Sequence, residues 1–217
     1  MTTTGAHPAR DQDRHDAALV SPPRRRTDPW NRPGAAATTV GLLAVVSSAV
    51  YFLSDVVETA QGGFSAGQLW LTFAAEATLP FFVVGLAATQ RKQLGGAGWL
   101  AAVAYAYSYV FFTGTVVYAL VNRTEDYEAL TEDLGALMVA HGAIMVLAAG
   151  LGFGLAVVRR RVFPTWTAIA LMAGVVLVAL AQGMPEAVQL TAAGLRDLGF
   201  AGMGVALLRR ARSPAPD

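Results

Sequence analysis

Residues 66–89 read AGQLWLTFAAEATLPFFVVGLAAT, a run with a single ionisable side chain, Glu76, near its middle and Pro80 four places further on. A stretch of this length and apolarity meets the ~20 residues that a helix needs to cross a ~30 Å hydrocarbon layer. A carboxylate near the centre of such a span costs roughly 2.5–3.5 kcal/mol on insertion scales, so it has to face other polar groups rather than lipid. The stretch predicts a membrane-spanning helix whose one acid turns toward the inside of a bundle.

Five more apolar stretches flank it, at about residues 38–58, 98–121, 134–158, 163–182 and 185–208. Composition agrees, with 54% hydrophobic residues, 14% charged residues and a mean hydropathy of +0.46, outside the usual range of water-soluble domains. The expected fold class is all-α, a polytopic membrane protein with a bundle of six transmembrane helices (37–210). Local signals punctuate it: the turn-forming Gln61-Gly62-Gly63, the acidic Thr131-Glu132-Asp133 ahead of the fourth helix, and Pro185 at a first helical position. Residues 1–36, rich in Pro, Arg, Asp and Thr, read as a disordered basic tail, and 211–217 as a short C-terminal tail. Nothing apolar longer than Ala17 to Val20 precedes Ala35, so the first helix is expected to stay as a signal anchor.

The positive residues set the expected orientation. Arg10, Arg14, Arg24, Arg25, Arg26 and Arg32 precede the first helix, Arg91 and Lys92 follow the second, Arg159, Arg160 and Arg161 follow the fourth, and Arg209, Arg210 and Arg212 close the sixth. The alternate loops hold only Arg123, among Glu125, Asp126, Glu128, Glu132 and Asp133. Because Lys and Arg stay on the cytoplasmic side, both termini are expected inside, with the loops after helices 1, 3 and 5 outside. The net charge of +1 hides this segregation, and no nucleic-acid footprint accompanies it. The absence of cysteine excludes disulfides, thiolate nucleophiles, iron–sulfur clusters and covalent c-type haem.

A rise of ~1.5 Å per residue places Glu76 ~15 Å below the outer surface, His141 ~10 Å, and Arg196 with Asp197 ~17 Å. Asp55 and Glu58 close the outer end of helix 1, and Gln182, Glu186 and Gln189 surround the turn between helices 5 and 6. Polar groups gather in the outer half while the inner half is Ala, Val, Leu and Gly, which predicts a cup open outward. Spacings of three and four align Ser47 or Ser48, Tyr51, Asp55 and Glu58 on helix 1, and Gln68, Thr72, Glu76 and Pro80 on helix 2. Pro80 cannot donate to the Glu76 carbonyl, so a kink beside that acid either forms a ligand wall or improves packing. Tyr109 and Thr113 are candidate donors into the cup, although lipid-facing or packing roles fit most of the helix 3 tyrosines.

His141, alone among the helices, cannot build a bis-His haem or multi-His metal site, so no metal or cofactor is expected. As a partner of Glu76 or Asp197 it would serve as general acid or base, and otherwise as a structural hydrogen-bonding group. Arg196 and Asp197, adjacent on a helix, point ~100° apart and are not expected to pair with each other. The economical arrangement joins Arg196 to Glu76 and leaves Asp197 for His141 or solvent. If every charge is neutralised in this way, the cluster is interhelical glue. The small residues of Gly150-Leu151-Gly152-Phe153-Gly154 provide close packing of their own and a possible homodimer face on helix 4.

With a glutamate midway along helix 2 (Glu76), a basic turn and proline before helix 5 (Arg159-Arg160-Arg161-Val162-Phe163-Pro164-Thr165-Trp166) and an amphipathic outer loop between helices 3 and 4, residues 36–210 resemble a family of small six-helix bacterial membrane proteins of uncharacterised function. Helix 3 departs from that family in its Tyr105-Ala106-Tyr107-Ser108-Tyr109 segment. The resemblance implies the fold and a bacterial plasma-membrane location, and no activity. A looser similarity links Glu76 and Asp197 to the acids on an early and on the last helix of small membrane-embedded terpene cyclases, which have seven helices.

Three classes of function follow as expectations. The first is binding or transport of a hydrophobic or amphipathic small molecule, with Tyr51, Asp55, Thr72, Glu76, Tyr109, Thr113, His141, Gln182, Glu186, Gln189, Arg196 and Asp197 as the lining. The second is an intramembrane acid–base enzyme acting on a lipid or isoprenoid through Glu76, His141 and Asp197. The third is a structural or regulatory protein whose Arg-rich tail touches anionic membrane lipids.

Overall fold

The computed structural model describes residues 34–212, and among them every regular element is helical. Helix α1 (Ala35–Gln61) ends where Gly62, at φ 70°, turns its N–H back onto the Glu58 carbonyl. The Ser65 side chain then accepts from the Gln68 N–H and starts α2 (Ala66–Thr89) at the expected bounds. In α3 (Arg91–Asn122) the first turn is set off by Gly95, and the regular helix begins near the expected Gly98. Two longer helices follow a broken stretch: α7 (Thr165–Leu180) and α8 (Glu186–Arg212). Of the expected N-terminal tail, residues 1–33 lie outside the described residues, as do 213–217 at the other end.

The broken stretch adds one element to the expectation. The fourth helix, expected over about 134–158, runs continuously over 136–160 as α5 (Ala136–Met145), a π segment (Val146–Phe153) and α6 (Gly154–Arg160), and a short unexpected helix, α4 (Tyr127–Leu134), precedes it. The acidic Thr131-Glu132-Asp133 lies within α4, ahead of α5; the N-cap of α4 is Asp126, accepting from the Ala129 N–H. The chain then turns by 107° at Gly135, whose φ of 44° and ψ of −117° suit a residue without Cβ. The wider π turns fall on Gly150 and Gly152, where missing side chains let the backbone swell. A Cβ on Gly152 would press on Ala101 of α3, and Gly154 is buried, so these glycines serve packing within the chain.

Neighbour relations close the helices into a ring. α1 lies between α8 and α2, α2 packs on α3, α3 on the π segment, the π segment on α7, and α7 on α8. Contact is closest where glycines face backbone: Gly41 of α1 meets Gly204 of α8, and Gly174 of α7 meets the backbone of Arg196. Pinned there from behind, Arg196 sends its side chain forward to α1.

Three helices, α1, α2 and α3, are long and apolar enough to cross a membrane, and a fourth joins them if the bent pair α4–α5 counts as one span. Helix α7 is apolar but its 16 residues rise only about 24 Å. The apolar run of α8 is interrupted by Arg196 and Asp197. Outward faces are rich in large apolar side chains such as Phe81 (73% exposed), Leu100 (69%) and Trp70 (60%), more than a water-facing surface ordinarily carries.

Candidate functional site

Where α1, α2, α3 and α8 converge, a buried ionic and aromatic cluster forms. Arg196 donates through Nε to Asp197 Oδ1 (2.8 Å) and through Nη2 to both Asp197 Oδ2 (3.1 Å) and Asp55 Oδ2 (3.2 Å). Its guanidinium carbon lies 4.1 Å from the centroid of the Tyr51 ring, a cation–π contact in a dry setting. From the other end of that ring the Tyr51 hydroxyl donates to Glu76 Oε1 at 2.6 Å. A continuous path of contacts thus runs from Asp55 and Asp197 through Arg196 and Tyr51 to Glu76. The Tyr109 ring stands edge-on to Tyr51, 6.3 Å between centroids, and Tyr105 leans on Tyr109 at 5.2 Å. Tyr105 stacks on Phe200, which meets Phe82, and these rings join a buried apolar core running on to Leu86, Met203 and Leu207.

Several buried oxygens are left over. Glu76 Oε2, Ser48 Oγ and Gln68 Oε1 have no hydrogen bond within the chain, and the Tyr105 and Tyr109 hydroxyls have only a loose one to each other. An unsatisfied buried polar group costs about 1–3 kcal/mol, so these oxygens carry hydrogen-bonding capacity that the chain itself does not use.

A second polar network leads away from the cluster along the α1–α2 seam. Gln68 Nε2 reaches Glu58 Oε2 (3.0 Å), Ser54 Oγ (3.1 Å) and Thr72 Oγ1 (3.0 Å), and Ser54 and Thr72 bond each other at 2.5 Å. One turn deeper come Tyr51 and Glu76. These rungs follow the two stripes that the three-and-four spacings align on helices 1 and 2, and beyond them Ser47 bonds Thr78, a residue outside the helix 2 stripe, at 2.5 Å. Pro80 sits inside α2, where it leaves the Glu76 carbonyl without its helical donor.

Of the residues grouped by sequence, Tyr51, Asp55, Glu76, Tyr109, Arg196 and Asp197 come together, with Thr72 a turn above. Others do not. His141 stacks on Phe111 at 3.7 Å and bonds Tyr107 (3.3 Å) and the Leu137 carbonyl (2.8 Å), on the α3–α5 contact, apart from both Glu76 and Asp197. Counting residues inward fixes a depth along the helix and not a face, and the face that carries His141 turns to Tyr107 and Phe111 of α3. Thr113 donates to the Tyr109 carbonyl. Gln182 and Gln189 bond carbonyls of Val178 and Met184 at the α7–α8 turn, and Glu186 is exposed there, within electrostatic reach of Glu58.

Two pairing expectations are also corrected. Arg196 does not join Glu76, and it does pair with its neighbour Asp197, which grips it with both oxygens. The ~100° offset between adjacent Cβ atoms constrains short side chains, whereas the long arginine stem folds back and presents its planar edge to the carboxylate. Tyr105, buried with its hydroxyl toward that of Tyr109, and Gln68, the hub of the upper network, are polar residues of this region that the earlier grouping of lining residues leaves out. For Gln68 the signal was present, since it shares the helix 2 stripe with Thr72 and Glu76.

Among the described residues no group of acids and histidines has the arrangement of a metal site. Comparison with protein-family models, with curated proteins and with solved structures returns no match. The fold and the cluster define the class by themselves: a ring of apolar helices, at least three of membrane-crossing length, around a buried arginine–carboxylate–tyrosine centre.

Proposed function

We propose that the chain is a multi-pass integral protein of the bacterial plasma membrane, with six crossing segments and both termini on the cytoplasmic side. We further propose that its central cluster binds, for storage or transport, the polar end of a hydrophobic or amphipathic small molecule. The segregation of Lys and Arg to alternate loops supports the orientation. On it, Asp55, whose side chain is about a fifth exposed (21%), opens the cluster toward the outer side. On the same orientation a cleft of about 480 Å³ between the α1–α2 turn and the α3–α4 loop, bordered by Gly63, Phe64, Leu69 and Thr124 and by none of the cluster residues, also faces the outer side.

The observation that carries the binding reading is the excess of hydrogen-bonding capacity at the centre: Glu76 Oε2 stands idle beside a fully engaged ion pair, and the Tyr105 and Tyr109 hydroxyls have only each other. Glue between helices needs no idle groups. An acid–base enzyme would need a proton partner for Glu76 or Asp197, and His141, the residue suited to that role, is engaged elsewhere.

Native mass spectrometry of the full-length protein, released from its own membranes in a mild detergent, tests the reading. The wild type is expected to retain a small amphipathic adduct that Glu76→Gln and Tyr109→Phe lose while melting within a few degrees of wild type. A wild type free of adducts, with both substitutions lowering the melting temperature sharply, would reduce the cluster to interhelical glue.

A further inference from the structure

The cluster is short of positive charge. Asp55, Glu76 and Asp197 bring three carboxyl groups, and Arg196 is the one cation within reach of them among the described residues. The geometry already assigns that cation: both oxygens of Asp197 and one of Asp55 hold it. Glu76 touches no cation. It has one donor, the Tyr51 hydroxyl on Oε1, while Oε2 is buried and idle. An ionised carboxylate held so in the middle of an apolar bundle has neither the partner nor the hydrogen bonds that would offset its desolvation.

We propose that Glu76 is a proton-binding site, holding on Oε2 the proton that balances the cluster and exchanging it with the outer side of the membrane. Oε2 gains an O–H bond as a hydronium at the outer mouth loses its proton and is left as water, and the carboxyl becomes neutral. The Tyr109 hydroxyl on the facing helix, whose hydrogen bond within the chain is to Tyr105, keeps lone-pair capacity as an acceptor for a new O–H. The seam formed by Glu58, Gln68, Ser54 and Thr72 ends one turn above Glu76 and supplies the polar approach.

The groups facing Glu76 are Tyr51 and Asp55 from α1, Tyr109 from α3, Arg196 from α8 and Tyr127 from α4. When Glu76 gives up its proton, the new negative charge acts on Arg196 across the Tyr51 ring and competes with Asp55 for it. Proton release is thereby coupled to the contact between α1 and α8, and the proton becomes a regulator of the binding site proposed above. The inference rests on that reading of the cluster as a working site.

Infrared difference spectroscopy on the full-length protein in lipid nanodiscs, stepped between acid and alkaline pH in potassium buffer, tests it. The wild type is expected to show the carbonyl stretch of a buried protonated carboxyl that disappears as the pH rises. Glu76→Gln should remove that band entirely, while Asp55→Asn and Asp197→Asn should retain it. A band surviving in Glu76→Gln, or no titrating carboxyl in the wild type, overturns the proposal. Loss of the band on adding sodium at constant pH overturns it too, assigning the place to a metal cation. A titrating Glu76 with no bound adduct would keep this inference and remove the ligand; an adduct without titration would do the reverse.

Discussion

Two carboxylates share Arg196, but they do not hold it alike. Asp197 is buried and makes two bonds with the guanidinium, whereas Asp55 makes one and is partly exposed. Removing the charge from a buried pair leaves its partner uncompensated and costs about 3–5 kcal/mol, a figure that shrinks where water reaches the site. Asp197→Asn is therefore expected to lower unfolding stability in detergent by about that amount, and Asp55→Asn by roughly a third of it. The reverse order in a denaturant titration would make Asp55 the principal partner. The tyrosines carry a smaller expectation: since the Tyr109 hydroxyl has only the Tyr105 hydroxyl to lose, Tyr109→Phe should change stability by under about 1 kcal/mol. A large loss of stability would show that the hydroxyl is strongly bonded.

At the scale of the helix, what was legible in the sequence depended on how straight the chain ran. Residues 66–89 form α2 at the expected bounds, and the stripes on helices 1 and 2 meet as spacing requires, because both helices are continuous through the cluster. Residues 136–160 also follow the expected helix, but hydropathy gives no sign of the short α4 before it, of the turn at Gly135, or of the π segment that packs against α3 and α7. His141 was missed because depth along a helix does not say which face a residue takes. The α7–α8 contact depends on backbone approach and yields its own test. A Cβ on Gly174 would collide with the backbone of Arg196, which cannot turn aside as a side chain can. Gly174→Ala is thus expected to cost about 1–3 kcal/mol or more and to displace Arg196 from Asp55. Gly114→Ala, in α3 with open space around its Cβ, should be neutral or gain up to about 1 kcal/mol from helix propensity. Similar melting of the two variants would mean that α7 and α8 have room to part.

For the molecule as a whole, the segregation of Lys and Arg and the lengths of the helices make statements of different strength about how often the chain crosses. Three helices are long and apolar enough to cross, the bent pair is a fourth if it counts as one span, and α7 with α8 complete six only if a short apolar helix and a charged one also span. Physical chemistry allows both: the bilayer thins or the ends extend to meet a short helix, and a buried arginine whose charge is met inside the ring no longer faces lipid. The natural absence of cysteine makes the count directly measurable, since each introduced thiol is the only one in the protein. Single cysteines replacing Gln61, Glu128 and Gln182 are expected to react with a membrane-impermeant maleimide on intact cells. Those replacing Lys92, Arg160 and Arg210 should react only after the membrane is opened. Adjacent sites across α7 and α8 decide the matter: if Arg160 and Gln182 label from the same side, α7 does not cross. The cluster would then sit in a bundle of fewer spans, with α8 folded against it from the cytoplasmic face rather than threaded through the bilayer.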